Sequence, residues 1–253
     1  MNALRVWSKP DEVRMWLLCL PPSGGDARLF KDWAGRLPAG MGVAALELPG
    51  RGGRPGEPWA ASVEDAVAEF ADAAAPLLER PVMLYGHSMG AVLALELAHE
   101  LRARHGVEPL ALVAAASEPP ERRVVETASD ACDEDLVRWL RALGGTPDEL
   151  LASQEYLAAL LPVLRADLGL LERRAPRALP PLDCPVHVYF GERDPMVDGP
   201  AAQRGWAAHT TRRQPPRSFP GGHFFVQEST GPVLAALAED ADAAVGGRLL
   251  RTR

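Results

Sequence analysis

Five short apolar runs punctuate the chain: VRMWLLCL (13–20), VAALEL (43–48), VMLY (82–85), LALVAA (110–115) and VHVYF (186–190). Their apolarity is continuous, whereas a strand with one wet face alternates. Continuous runs of this length are the pattern of parallel strands covered on both sides. Between them, apolar positions recur at three- and four-residue spacing, which predicts helices near 26–37, 62–79, 89–104, 199–208 and 229–243. Alternating strands and helices predict an α/β fold built on a mostly parallel, doubly wound sheet.

One stretch departs from the alternation. Residues 118–178 hold no strand pattern, yet DEDLVRWLRALGG and QEYLAALLPVLRADLGLLERR repeat with helical period. A helical insertion longer than a crossover needs is expected to form a lid; the alternative is extra crossover helices packed on the sheet. With no internal repeat and no evident linker, the chain reads as a single domain, 1–253, containing a helical lid insertion at 118–178.

Composition removes several function classes. A hydrophobic fraction of 47% with 24% charge is ordinary for a globular protein. No apolar run approaches the roughly 18 residues of a membrane span, and MNALRVWSKPDEVRMW has charges where a secretion signal needs an apolar core. Cys19, Cys132 and Cys184 are odd in number and scattered, giving neither a disulfide framework nor metal-ligand spacing. A cytoplasmic, metal-free protein is expected. The net charge of −7 argues against a nucleic-acid partner.

The chemistry starts at PVMLYGHSMGAVLALELAHELRARHG (81–106), where Ser88 stands between two glycines, after a strand and before a helix. That is the context of a nucleophile elbow, a sharp turn that lifts a serine hydroxyl above the sheet. The bland alternative is a serine N-cap. The Met89 N–H, at the helix N-terminus, could donate to an oxyanion. A serine nucleophile needs a base, and of six histidines His223 has the fitting setting, SFPGGHFFVQE, after the last apolar run and before the final helix. His87 should point away from its neighbour's hydroxyl; His99, His105, His187 and His209 read as packing or surface residues. In GERDPMVD, just past VHVYF, Asp194 is the first choice of acid, with Asp198, Glu192 and Glu118 as alternatives. The order Ser, Asp, His is that of α/β-hydrolases. The glycine-rich loop LPPSGGD offers the Ser23 N–H as second oxyanion donor.

These pieces, taken together, resemble the type II thioesterases that accompany nonribosomal peptide and polyketide synthases. The resemblance rests on PPSGGDARLFKDW (21–33), LELPGRGGR (46–54), YGHSMGA (85–91), LRADL (164–168), YFGERDPMV (189–197) and FPGGHFF (219–225), and runs through nearly the whole chain. It implies an α/β-hydrolase fold, a triad of Ser88, Asp194 and His223, and oxyanion donors at Ser23 and Met89. It also implies hydrolysis, without metal or organic cofactor, of stalled or aberrant acyl groups on the phosphopantetheine arm of acyl or peptidyl carrier proteins. The family more often has Ala where Ser23 stands, an aromatic where Pro22 stands and Asp where Glu192 stands. Another serine esterase or lactonase is the nearest alternative, and a non-catalytic docking module a more distant one. Because carrier proteins are acidic, a basic patch is expected; Arg51, Arg54, Arg122, Arg123, Arg173, Arg174, Arg212 and Arg213 are candidates. Trp139, Leu140, Leu143, Tyr156, Leu160, Leu161 and Leu164 supply apolar surface in the lid region that could shape an acyl pocket.

Overall fold

Each residue of the strand Met15–Leu20 is fully buried, and its side chains part to opposite faces of a sheet. Trp16, Leu18 and Leu20 join one apolar cluster, while Met15, Leu17 and Cys19 join another. This double coverage is why the run lacks alternation. The computed structural model describes residues 3–122 and 128–246. Within them the strands are β1 (Leu4–Val6), β2 (Met15–Leu20), β3 (Met41–Leu46), β4 (Val82–His87), β5 (Leu112–Ala115), β6 (Leu182–Gly191), β7 (Thr210–Arg213) and β8 (Arg217–Phe219). The sheet order is β1-β3-β2-β4-β5-β6-β7, with β8 also paired to β6. Only β1 is antiparallel to its neighbour.

The helices are α1 (Val63–Ala74), α2 (Met89–His105), α3 (Asp133–Leu143), α4 (Asp148–Leu151), α5 (Gln154–Glu172), α6 (Gly199–Trp206), α7 (Phe225–Glu228) and α8 (Thr230–Ala244). Side chains of α1, α2 and α6 cover one face of the sheet and those of α8 the other. The helix expected over 26–37 is instead a 3-10 stretch, Ala27–Trp33, whose start is capped by the Asp26 carboxylate accepting from the Arg28 N–H at 2.8 Å. Three strands, β1, β7 and β8, have no counterpart among the five apolar runs. Each is short and lies at the sheet margin, and β7 exposes Thr211, Arg212 and Arg213.

Between β5 and β6, the described residues form α3, α4 and α5 and no strand. Leu136, Leu140, Leu151, Leu161, Leu164 and Leu168 pack into an apolar cluster of their own, separate from the two clusters on the sheet. Leu170, near the end of α5, belongs to the sheet's cluster, so that helix leaves one core and enters the other.

Chain direction across the sheet reverses at β2, which lies between β3 and β4. In an open parallel sheet, the crevice at the carboxyl ends of the strands flanking such a reversal is where ligands bind. Ser88 follows β4 directly, and the SGG loop follows β2.

Candidate active site

The backbone at Ser88 has φ 53° and ψ −113°, a left-handed conformation that a non-glycine residue holds only under constraint. The constraint is tight packing around the elbow. A Cβ at Gly86 would lie 2.2 Å from the Gly90 carbonyl oxygen, and one at Gly90 would lie 2.2 Å from the Leu20 carbonyl oxygen. These glycines let β4, the start of α2 and the chain leaving β2 approach one another. The Ser88 N–H donates to the Ala115 carbonyl at 2.8 Å, tying the elbow to β5. Its side chain makes no capping hydrogen bond.

The loops carrying Asp194 and His223 are built against each other. A Cβ at Gly191 would meet the Gly222 carbonyl oxygen at 2.1 Å, and the Arg193 N–H donates to the Gly221 carbonyl at 2.9 Å. The result brings His223 Nδ1 to 3.1 and 3.0 Å from the two Asp194 carboxylate oxygens. Asp194 Oδ1 also accepts from the Met196 N–H at 2.9 Å. Both side chains are almost wholly buried, at 3% exposure for His223 and 0% for Asp194. Ser88, His223 and Asp194 line one cavity of about 440 Å³ together with Ala116, Ser117, Glu118, Arg122 and the segment 195–198.

The rival acids sit differently. Glu192 is exposed, and Asp198 caps α6 by accepting from the Ala201 N–H at 3.3 Å. Glu118 lines the cavity, and burial raises its pKa. Of the other histidines, His187 contacts Asp240 at 3.1 Å and His209 contacts Glu121 at 3.0 Å. His87 is buried and is not among the residues lining the cavity. Its ring lies edge-on to His223 with centroids 5.5 Å apart and stacks on Phe224 at 5.6 Å. Burial, reinforced by the neighbouring His223, pushes its pKa down to about 3.

A neutral, buried His87 has a consequence for acid stability. The unfolded chain takes up this proton near pH 6.5, the folded chain only near 3, so stability conferred by the neutral ring is complete above 6.5 and lost as the pH falls toward 3. In urea unfolding across this window, His87→Asn is expected to flatten the pH slope, by up to about 1.4 kcal/mol per pH unit relative to the parent. Equal slopes in the two proteins would show that His87 protonates as readily folded as unfolded.

Met89 is the first residue of α2, a position whose N–H has no carbonyl one turn behind it. Ser23 lies in the turn closed by the Gly25 N–H donating to the Pro22 carbonyl at 3.0 Å. Neither residue is among those lining the 440 Å³ cavity. Sequence reasoning missed one group beside this turn, the Asp167 carboxylate, although LRADL had marked its segment.

The supposed basic patch disperses. Arg51 is bound to Asp167, Arg54 to Glu57 and Glu69, and Arg174 to Glu96. Arg212 and Arg213 pair with Pro185 and Val186 of β6, toward the opposite end of the sheet from Ser88. Arg173 is exposed, Arg122 lines the cavity, and Arg123 lies outside the described residues. The apolar helical residues also serve packing first. Leu140, Leu161 and Leu164 lie in the insertion's own core with Trp139 and Leu160 packed on it, and none of these five lines the cavity.

A thioesterase-domain model matches residues 16–243. The chain belongs to the thioesterase family. It is 34% identical to the RedJ thioesterase from the prodiginine biosynthetic pathway of Streptomyces coelicolor, with a TM-score of 0.85 and 92% of each chain covered. It is equally 34% identical to the type II thioesterase BorB from the borrelidin biosynthetic cluster, with a TM-score of 0.80, covering 94% of this chain and 97% of that one. The gramicidin S biosynthesis protein GrsT of Aneurinibacillus migulanus is 31% identical over 218 residues, 86% of this chain and 85% of the relative. Its homologues are thus type II thioesterases of nonribosomal peptide and polyketide clusters, and its fold is that of α/β-hydrolase thioesterases. Among the described residues, no helix of this thioesterase is long and apolar enough to cross a membrane.

Proposed function

We propose that the protein hydrolyses acyl thioesters carried on the phosphopantetheine arm of acyl or peptidyl carrier proteins in the cytosol, freeing carriers blocked by stalled or aberrant groups. One observation carries the catalytic part: a buried Asp194–His223 pair at 3.0 Å on the wall of a cavity that also holds the strained Ser88. With Nδ1 committed to Asp194, His223 Nε2 is the nitrogen that accepts the Ser88 proton as Oγ attacks the thioester carbonyl. The negative charge that develops on the carbonyl oxygen rests on the N–H groups of Met89 and Ser23. The C–S bond then breaks, the leaving sulfur takes the proton from His223, and an acyl-serine remains. Water, deprotonated by the same imidazole, attacks that ester and releases the acid. The chain acts as a single domain in which α3–α5 form the lid over this site.

The thioester preference follows from the family, since the same triad cleaves oxygen esters. Intact-mass measurement of acetyl-loaded carrier protein tests the reading. The expected result is return of the free phosphopantetheine thiol with multiple turnovers. Cleavage of a simple ester or lactone, with the loaded carrier untouched, would leave the triad standing and reject the carrier as substrate.

A further inference from the structure

Two segments far from α5 in sequence, the turn at Gly24 and the loop at Arg51, converge on the carboxylate of Asp167 in the last third of that helix. Its Oδ1 accepts from Arg51 Nη2 at 2.5 Å, and its Oδ2 accepts from Arg51 Nη1 at 2.6 Å and from the Gly24 N–H at 2.8 Å. Arg51 Nη1 also reaches the Gly25 carbonyl at 3.3 Å. Both side chains are nearly excluded from solvent, at 5% and 2% exposure. A buried ion pair of this kind is weak grounds for stability by itself, because desolvation offsets most of the attraction. What it supplies is fixed geometry, and here the fixed object is the turn Pro22–Gly25.

Gly24, at the third position of that turn, has φ 75°, the value a type II turn demands. In a type II turn the central peptide, between Ser23 and Gly24, is flipped relative to type I. The Gly24 N–H bond to Asp167 selects this flip, since the opposite one would turn a carbonyl oxygen toward the carboxylate. The turn also lies flat on α5, where a Cβ at Gly24 would sit 3.2 Å from Leu160 Cδ1. Arg51 is itself held from behind, because the Arg54 N–H donates to the Arg51 carbonyl at 2.7 Å and Arg54 is buried against Glu57 and Glu69.

We propose that Arg51 and Asp167 are positioning residues whose buried pair, through the Gly24 N–H, sets the Ser23 N–H as the second oxyanion donor and makes α5 part of the oxyanion hole's frame. This rests on the roles assigned above to Ser88 and Ser23. An oxyanion donor acts only within a few tenths of an ångström of its working position. Loosening the turn therefore costs transition-state stabilisation while leaving substrate affinity alone.

The test compares Asp167→Ala and Arg51→Lys with Glu96→Gln, which breaks another buried pair, Glu96–Arg174, away from the turn. Kinetics on an acyl thioester, inhibition by a trifluoromethyl ketone and thermal unfolding are measured for each. The ketone forms a tetrahedral oxyanion on the serine, so its Ki reads the hole directly. Asp167→Ala and Arg51→Lys are expected to lower kcat by about 10- to 100-fold with KM changed less than threefold, and to weaken ketone inhibition by a matching factor. Glu96→Gln should lower thermal stability with kcat and Ki retained. The proposal fails if folded Asp167→Ala or Arg51→Lys keeps the parent's kcat and Ki, or if all three variants lose kcat in step with stability. Should Asp167→Ala not fold, Arg51→Lys decides alone. An unmutated enzyme that cleaves no acyl thioester and does not react with the ketone would instead overturn the underlying functional reading.

Discussion

Replacing Ser88 by alanine is expected to lower kcat on an acyl-loaded carrier about a millionfold, the scale seen when a serine nucleophile is removed from a preassembled triad. The other hydroxyl lining the cavity, Ser117, is committed to the Glu118 carbonyl at 2.9 Å and does not sit on the turn after β4, so it is not expected to stand in. Alanine suffers the same steric penalty as serine at φ 53°, and the serine makes no side-chain cap that would be lost. Stability should therefore change by less than about 0.5 kcal/mol. Burst kinetics with a chromogenic thioester gives the second readout, since the acyl-enzyme burst vanishes with the hydroxyl. Activity above about 1% of the parent in Ser88→Ala would mean that another group attacks the substrate.

Substituting Asp194 by asparagine should cost about 10⁴-fold in kcat while keeping the fold. The physical cause is a tautomer. Asparagine's carbonyl oxygen can keep the bond that Asp194 Oδ1 accepts from the Met196 N–H at 2.9 Å. Its amide NH₂ then faces His223 Nδ1, a donor where an acceptor stood. The imidazole answers by placing its proton on Nε2, where it can no longer take one from Ser88. Glu118 supplies the contrast, because it lines the same cavity and its raised pKa marks a carboxyl poorly suited to hold charge there. Steady-state kinetics on Asp194→Asn and Glu118→Gln separates them: a loss confined to Glu118→Gln would move the acid to the end of β5.

What could be read from the sequence was whatever leaves a local trace. β2 through β5 and the run 186–190 of β6 announce themselves as apolar runs because nearly every residue in them is buried, whichever side of the sheet it takes. The elbow and the GGH loop are legible because close backbone approach requires glycine at Gly86, Gly90 and Gly221. β7 could not be found this way, since a marginal strand with Thr211, Arg212 and Arg213 exposed has the composition of a loop. The arginines misled for a related reason: charge is visible in sequence but partnership is not, and Arg51 finds Asp167 across 116 residues. His87 shows the same limit at short range. Its ring stacks on Phe224, which arrives from a loop 137 positions later, and lies edge-on to His223, a pairing that the local sequence does not display.

The separate leucine core of α3–α5 bears on how such an enzyme can change over generations. A segment that packs mainly on itself can accept replacements at Leu136, Leu151 or Leu161 without disturbing the residues that fill the two faces of the sheet. Under the lid role proposed for α3–α5, variation in what the site admits would be uncoupled from Ser88, Asp194 and His223. The exception is the stretch of α5 around Asp167, where an inherited change reaches the turn after β2 at once. Descendants of this chain are free to diverge along most of the insertion and are held to their ancestor at one helical turn.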